Sequence, residues 1–110
     1  MKPIRFIGSS LDDLRQMPDL VRHDLGIELM AVQFGAEPSD FKPMKTVGSG
    51  AYEIRYRGMD GAFRVIYVAK FEEAIYVLHA FQKKSPKTAQ SDIELARRRY
   101  TLMETEHARR

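Results

Sequence analysis

A chain of 110 residues with no cysteine has room for one core, and none for disulfides, thiolate metal sites or a cysteine nucleophile. Its net charge of +3 and pI of about 9.3 are modest for a stand-alone nucleic-acid binder, so where the charges fall matters more than their sum. No apolar run is long enough to span a membrane, and Met1-Lys2-Pro3-Ile4-Arg5-Phe6 does not open a signal peptide, so the expected location is cytoplasmic.

Residues 3–7 alternate as a first strand, ended by Gly8. Ser9 or Ser10 is placed to cap a helix from Leu11, whose first turn holds Asp12 and Asp13, where the helix dipole favours acids. Pro18 either ends this helix or starts the next. From Asp19 to Phe34, Leu20, Val21, Leu25, Leu29, Met30 and Val32 recur at roughly helical spacing, with Gly26 a weak point inside. Gly35 is a natural stop and Pro38 follows it, so the two helices form a hairpin. Residues 42–47 read as a short extended segment before Gly48-Ser49-Gly50.

The stretch from Gly48 to Lys84 predicts three strands. Gly58-Met59-Asp60-Gly61 is hairpin chemistry between runs rich in Tyr, Ile, Val and Phe. That turn pairs Arg57 with Ala62, Tyr56 with Phe63, Arg55 with Arg64, Ile54 with Val65 and Tyr52 with Tyr67. Side chains alternate along a strand, so Tyr52, Ile54, Tyr56, Phe63, Val65 and Tyr67 share an apolar face. Glu53, Arg55, Arg57, Arg64, Ile66 and Val68 share the other. A second turn at Glu72-Glu73 sets Val68 against Val77, Ile66 against His79 and Arg64 against Phe81. Val77, His79, Phe81 and Lys83 then join the arginine face, and Tyr76, Leu78 and Ala80 the apolar one; a one-residue slip reverses this. Arg55 beside Arg64 costs stability, since like charges face each other. Two readings stand: an anion belongs there, or both arginines are solvated, with Glu53 as a partner.

Beyond Lys84 the chain returns to helix. Ser85-Pro86 and Thr88 are candidate caps, and Ser91-Asp92-Ile93-Glu94 has capping-box form. Ile93, Ala96, Tyr100 and Met103 make an apolar stripe, while Arg97, Arg98 and Arg99 are expected in solvent. The whole, residues 1–110, is a single α+β domain. The helical hairpin should cover the Tyr52/Ile54/Tyr56 face; the pattern does not place the last helix.

Several pieces now carry a resemblance. Tyr52-Glu53-Ile54-Arg55, then the run from Gly61 to Tyr67 (GAFRVIY), then the run from Val77 to Lys84 (VLHAFQKK) resemble the signature of the phage-derived HigB-like toxins of the RelE/ParE toxin–antitoxin superfamily. Gln33-Phe34-Gly35 with Pro38, Lys42-Pro43 before the glycines, and Ile93-Glu94-Leu95-Ala96 support it. The likeness runs from about Leu11 to Tyr100. It implies a RelE-like small antiparallel sheet with a concave basic surface, and an antitoxin partner with a helix-turn-helix domain. Relatives enter the ribosomal A site and cut mRNA there, a metal-independent endoribonuclease activity that inhibits translation. The ParE branch instead binds gyrase, and a decayed member would only bind its antitoxin; fold alone does not choose.

Cleavage of this kind is attack by a ribose 2′-hydroxyl on the adjacent phosphate, and it needs proton transfers and cations at the phosphorane. Arg64 and then Arg55 match basic positions of the superfamily's active surface, and arginine's planar fork suits phosphate oxygens. Lys83 and Lys84 match the basic end of the last strand; Arg57 and Lys87 extend the patch for RNA. Phe81 either stacks on a base or tucks under the last helix. His79 can exchange a proton near neutral pH, although a lone strand histidine is more often structural. Some relatives place a Tyr or His in the final segment as acid or base. Here Tyr100 falls on the apolar stripe, which leaves general acid and base unassigned. No cofactor or metal is expected.

Overall fold

The computed structural model describes residues 1–109. In chain order its elements are β1 (Ile4–Phe6), α1 (Ser10–Arg15), α2 (Asp19–Gln33), β2 (Phe41–Pro43), β3 (Ala51–Gly58), β4 (Gly61–Val68), β5 (Ile75–Lys83) and α3 (Gln90–Ala108). The five strands form one sheet in the order β1-β5-β4-β3-β2, with β1 parallel to β5 and every other pair antiparallel.

The β3–β4 hairpin has the register that its turn residues predict. Arg57 faces Ala62, Arg55 faces Arg64 and Tyr52 faces Tyr67. Gly61 alone takes a left-handed conformation there, at φ 117°. Helices α1 and α2 cover the apolar face, where Leu14, Val21, Leu25, Leu29 and Val32 pack on Ile54, Phe63, Val65 and Tyr67. Gly35, at φ 86°, stops α2. Its N–H reaches the Val32 carbonyl at 3.0 Å and that of Ala36 reaches Ala31 at 2.9 Å, the paired bonds of a Schellman ending.

The β4–β5 pairing departs from the simple turn. Arg64 faces Phe81 and Ile66 faces His79 as expected, but Tyr67 then faces Val77 and Val68 faces Tyr76. Leu78 is thus the extra residue of a bulge. Beyond the bulge the faces exchange. Val77 joins the α2 side, while Tyr76 and Leu78 join Ile66 and Val68 on the other. Contacts distant in sequence hold the irregularity. The Val77 carbonyl accepts from Ile7 N–H at 2.9 Å and from Ser10 Oγ at 3.1 Å, and the Leu78 carbonyl from Arg99 Nη1 at 3.0 Å. Arg99 is therefore buried rather than solvated, its other nitrogen on Ser9 Oγ at 2.9 Å.

Helix α3 lies across the second face. Ala96, Tyr100 and Met103 pack on Ile66, Val68, Tyr76 and Leu78. It begins at Gln90 after Ala89, with no side-chain cap. The expected caps do other things: Thr88 Oγ1 donates to Glu53, Ser85 Oγ donates to the Lys87 carbonyl, and Ser91 lies inside the first turn. Extended structure in the 42–47 segment stops at Pro43, after which Val47 N–H turns back to the Met44 carbonyl at 2.9 Å. On α2, Leu20 and Met30 point outward, being 61% and 52% exposed, so its core stripe is narrower than the apolar spacing suggested.

Tyr100 ties α3 to the loop before β3. Its hydroxyl donates to the Ser49 carbonyl at 2.6 Å and accepts from Lys70 Nζ at 3.0 Å. A Cβ at Gly48 would lie 2.5 Å from the ring, which these bonds hold in place. Gly48→Ala should therefore destabilise the fold by about 1–3 kcal/mol, the usual cost of overpacking, as read by urea denaturation.

Candidate functional site

Because α3 crosses the sheet near the bulge, the end of the second face by the β3–β4 turn stays open. There the β3–β4 register sets Arg55 and Arg64 side by side, with Arg57 next along β3 and Lys83 opposite Ala62 on β5. The like-charge cost is met by the protein's own carboxylates. Arg55 Nε and Nη2 both approach Asp40 Oδ1, at 3.0 and 2.9 Å. Arg64 Nε lies 3.5 Å from Glu53 Oε1.

Glu53 is the deepest acid of the site, with no exposed surface. Its other oxygen accepts from Thr88 Oγ1 at 2.9 Å, and Lys42 Nζ stands 3.9 Å from Oε1. A buried carboxylate without cations would be very costly; here it holds Arg64 from beneath and ties down the loop leading to α3. Arg64 is itself buried, and its Nη1 donates to the carbonyls of Phe63 (3.0 Å) and Tyr56 (3.4 Å). Burial pushes its pKa down, Glu53 opposes, and Arg55 and Arg57 add to the lowering. It stays a cation throughout, as arginine does in proteins. Nη1 is thus fixed by backbone carbonyls, Nε is paired with Glu53 by charge without a hydrogen bond, and the side chain lines the smaller of the cavities described next.

Two cavities adjoin at Arg57. One, of about 190 Å³, is lined by Asp40, Arg55, Tyr56, Arg57 and Arg64. The other, of about 490 Å³, is lined by Arg57, Gly61, Ala62 and the segment Lys83-Lys84-Ser85-Pro86. Lys83 Nζ donates to the Pro86 carbonyl at 2.7 Å. Its pKa is lowered by partial desolvation and by Arg64, with Glu53 opposing. Lys84 and Lys87 are exposed on the loop that follows, and of the two only Lys84 lines the larger cavity.

His79 and Phe81 share this face but not its open part. The imidazole is buried, its Nε2 2.8 Å from Asp92 Oδ1 in the first turn of α3, and it stacks on Phe81 with ring centroids 4.4 Å apart. Asp92 can only accept, so Nε2 carries the hydrogen and Nδ1 is left buried without a partner. Protonating Nδ1 would create an unpaired donor. Burial accordingly pushes the His79 pKa below 6.5, against the raising effect of Asp92. The unfolded chain takes up the proton first, so the stability linked to His79 is full above about pH 6.5 and falls as pH drops below it. In His79→Gln the melting temperature should lose this component, falling less on acidification than in the wild type. Phe81 is half-buried against the α3 cluster, the second of its two expected placements.

Sequence reasoning missed Asp40, named Thr88 only as a helix cap, and named Glu53 without seeing its burial. The β2–β3 register brings Asp40 to the site. Phe41 faces Ile54, so the preceding residue falls opposite Arg55. Among the described residues, no three His, Asp or Glu side chains converge where a metal ion could be held, and no helix is long and apolar enough to cross a membrane.

The family described as "Phage derived protein Gp49-like (DUF891)" matches residues 12–101. The chain belongs to this family. No curated protein sequence matches it. Among solved structures, a double arginine-to-alanine mutant of the Escherichia coli toxin RelE in the free state superposes with a TM-score of 0.65 at 17% identity, over 93% of this chain and 97% of that one. The RelE fold that the resemblance implied is thus present, with α1 and α2 on one side of the sheet and α3 on the other.

Proposed function

We propose that this member of the Gp49-like family is a HigB-like toxin that cuts mRNA on the ribosome, stops translation, and is neutralised by an antitoxin with a helix-turn-helix domain. The observation that carries the reading is the open end of the sheet, where Arg55, Arg57 and Arg64 line one cavity and Lys83 and Lys84 the next. Such a pair of basic cavities suits two consecutive phosphates of a single strand.

The scissile phosphate is assigned to the smaller cavity. Attack by the 2′-hydroxyl adds negative charge to the phosphorane, and Arg64, already held by Glu53 and by two backbone carbonyls, meets that charge without first having to be ordered. Arg55 and Arg57 add cations on either side. Lys83 lines the larger cavity, and its pKa is lowered by partial desolvation and by Arg64. It is assigned to the leaving 5′ oxygen. His79, sealed beneath α3, shapes the floor rather than touching RNA, and Phe81 shares that role.

Chemistry of this kind leaves a 2′,3′-cyclic phosphate and a 5′-hydroxyl. The test is to isolate mRNA fragments from a translation mixture and ask whether their 5′ ends can be ligated only after treatment with a kinase. Fragments with 5′-phosphates would rule out 2′-hydroxyl attack. Intact mRNA together with inhibited DNA supercoiling would favour gyrase as the target.

A further inference from the structure

We propose that Asp40 is a built-in competitor for the RNA phosphate, sharpening the selectivity of the smaller cavity by occupying the fork of Arg55 until a strand displaces it. The inference rests on the reading above only for the nature of the incoming ligand, a phosphodiester.

Asp40 lies between α2 and β2 and is brought opposite Arg55 by the β2–β3 register. Its backbone carbonyl accepts the Arg55 N–H at 2.8 Å, which anchors the segment whatever the carboxylate does. The side chain lines the cavity together with Arg55, Tyr56, Arg57 and Arg64, and one oxygen, Oδ1, takes both Nε and Nη2 of Arg55. Two parallel N–H donors of one arginine edge are what a phosphate oxygen pair would use. A carboxylate of the protein therefore stands where the ligand's oxygens would bond.

The two arginines differ in how firmly their carboxylates hold them. Arg64 and Glu53 have side chains 8% and 0% exposed, so breaking that pair would strand a buried charge. Arg55 and Asp40 are 39% and 58% exposed, and a pair this open contributes little net stability. Asp40 is thus the replaceable partner. A small anion that displaces it gains one contact and loses one, for almost no net benefit. A strand that also engages Arg57, Arg64 and Lys83 recovers the loss through its other contacts. The carboxylate raises the threshold for stray polyanions and leaves a properly seated strand bound.

The experiment uses the full chain and two probes. Binding of a fluorescent single-stranded 2′-O-methyl RNA, which cannot be cleaved, is measured by anisotropy for the wild type, Asp40→Asn, Arg55→Ala and the double variant. Inorganic phosphate is titrated separately while the arginine Nε–Hε signals are followed by NMR. Asp40→Asn should bind the RNA roughly two- to fivefold more tightly, the size expected on removing one exposed competing pair. The gain should vanish when Arg55 is Ala, and the Arg55 signal should respond at lower phosphate in Asp40→Asn. Unchanged or weaker RNA binding, an equal gain without Arg55, or a phosphate response indifferent to Asp40 would each overturn the proposal. If both probes behave as expected but the wild type leaves mRNA intact in a translation mixture, the endoribonuclease reading fails and the competitor role stands.

Discussion

Replacing Arg64 with Ala should lower the rate of mRNA cleavage by ~10²–10³-fold, the usual loss when one preorganised donor to a developing oxyanion is removed. The same substitution strips Glu53 of its nearest cation, so loss of activity alone would not separate chemistry from folding. A second variant does. Arg64→Ala combined with Glu53→Gln has no stranded charge, and the amide still offers its oxygen to Thr88 Oγ1. This double variant should regain much of the stability lost in Arg64→Ala, by urea denaturation, and remain as inactive. Recovery of cleavage with stability would mean that Arg64 only holds the fold.

Glu53→Ala should be the most destabilising change at the site, at about 3–5 kcal/mol, the cost of removing one member of a buried pair. The carboxylate is fully buried between Arg64, Lys42 and Thr88. Its loss leaves Arg64 buried with only carbonyl partners and frees the loop before α3. Glu53→Gln keeps the shape and the Thr88 bond and should cost clearly less. Equal denaturation midpoints for the wild type and Glu53→Ala would contradict the view that this acid supports the arginine floor. That magnitude is a large fraction of the ~5–15 kcal/mol that holds a domain together, so Glu53→Ala is expected to express poorly.

Much of this could be read from the sequence, and the reasons are local. Gly58 and Gly61 fix the β3–β4 turn, and the turn fixes every pairing from Ala51 to Val68. Alternation then places Arg55, Arg57 and Arg64 on one face. The α2 stop at Gly35 is equally local, set by one left-handed residue. What escaped depends on distant partners. The Leu78 bulge is held by Ile7, Ser10 and Arg99, which no pattern within β5 announces, and so Val77, Tyr76 and Leu78 fell on the wrong faces. Arg99 looked like part of a solvated run because its acceptor lies 21 residues away. The path of α3 across the sheet decided which part of the basic face stays open, and with it the burial of His79 and Phe81. Asp40 was hidden because β2 is only three residues long, too short for its pairing with β3 to show as a pattern.

The central claim, that the arginine end of the sheet cuts mRNA on the ribosome, meets its most direct test in a purified translation system. The protein is added with and without ribosomes, mRNA ends are mapped, and the Glu53→Gln/Arg64→Ala variant is run alongside. Cuts that require ribosomes and disappear in the variant are the predicted result. Cuts that persist in the variant, or mRNA left intact while the wild type is folded and free of antitoxin, would contradict it.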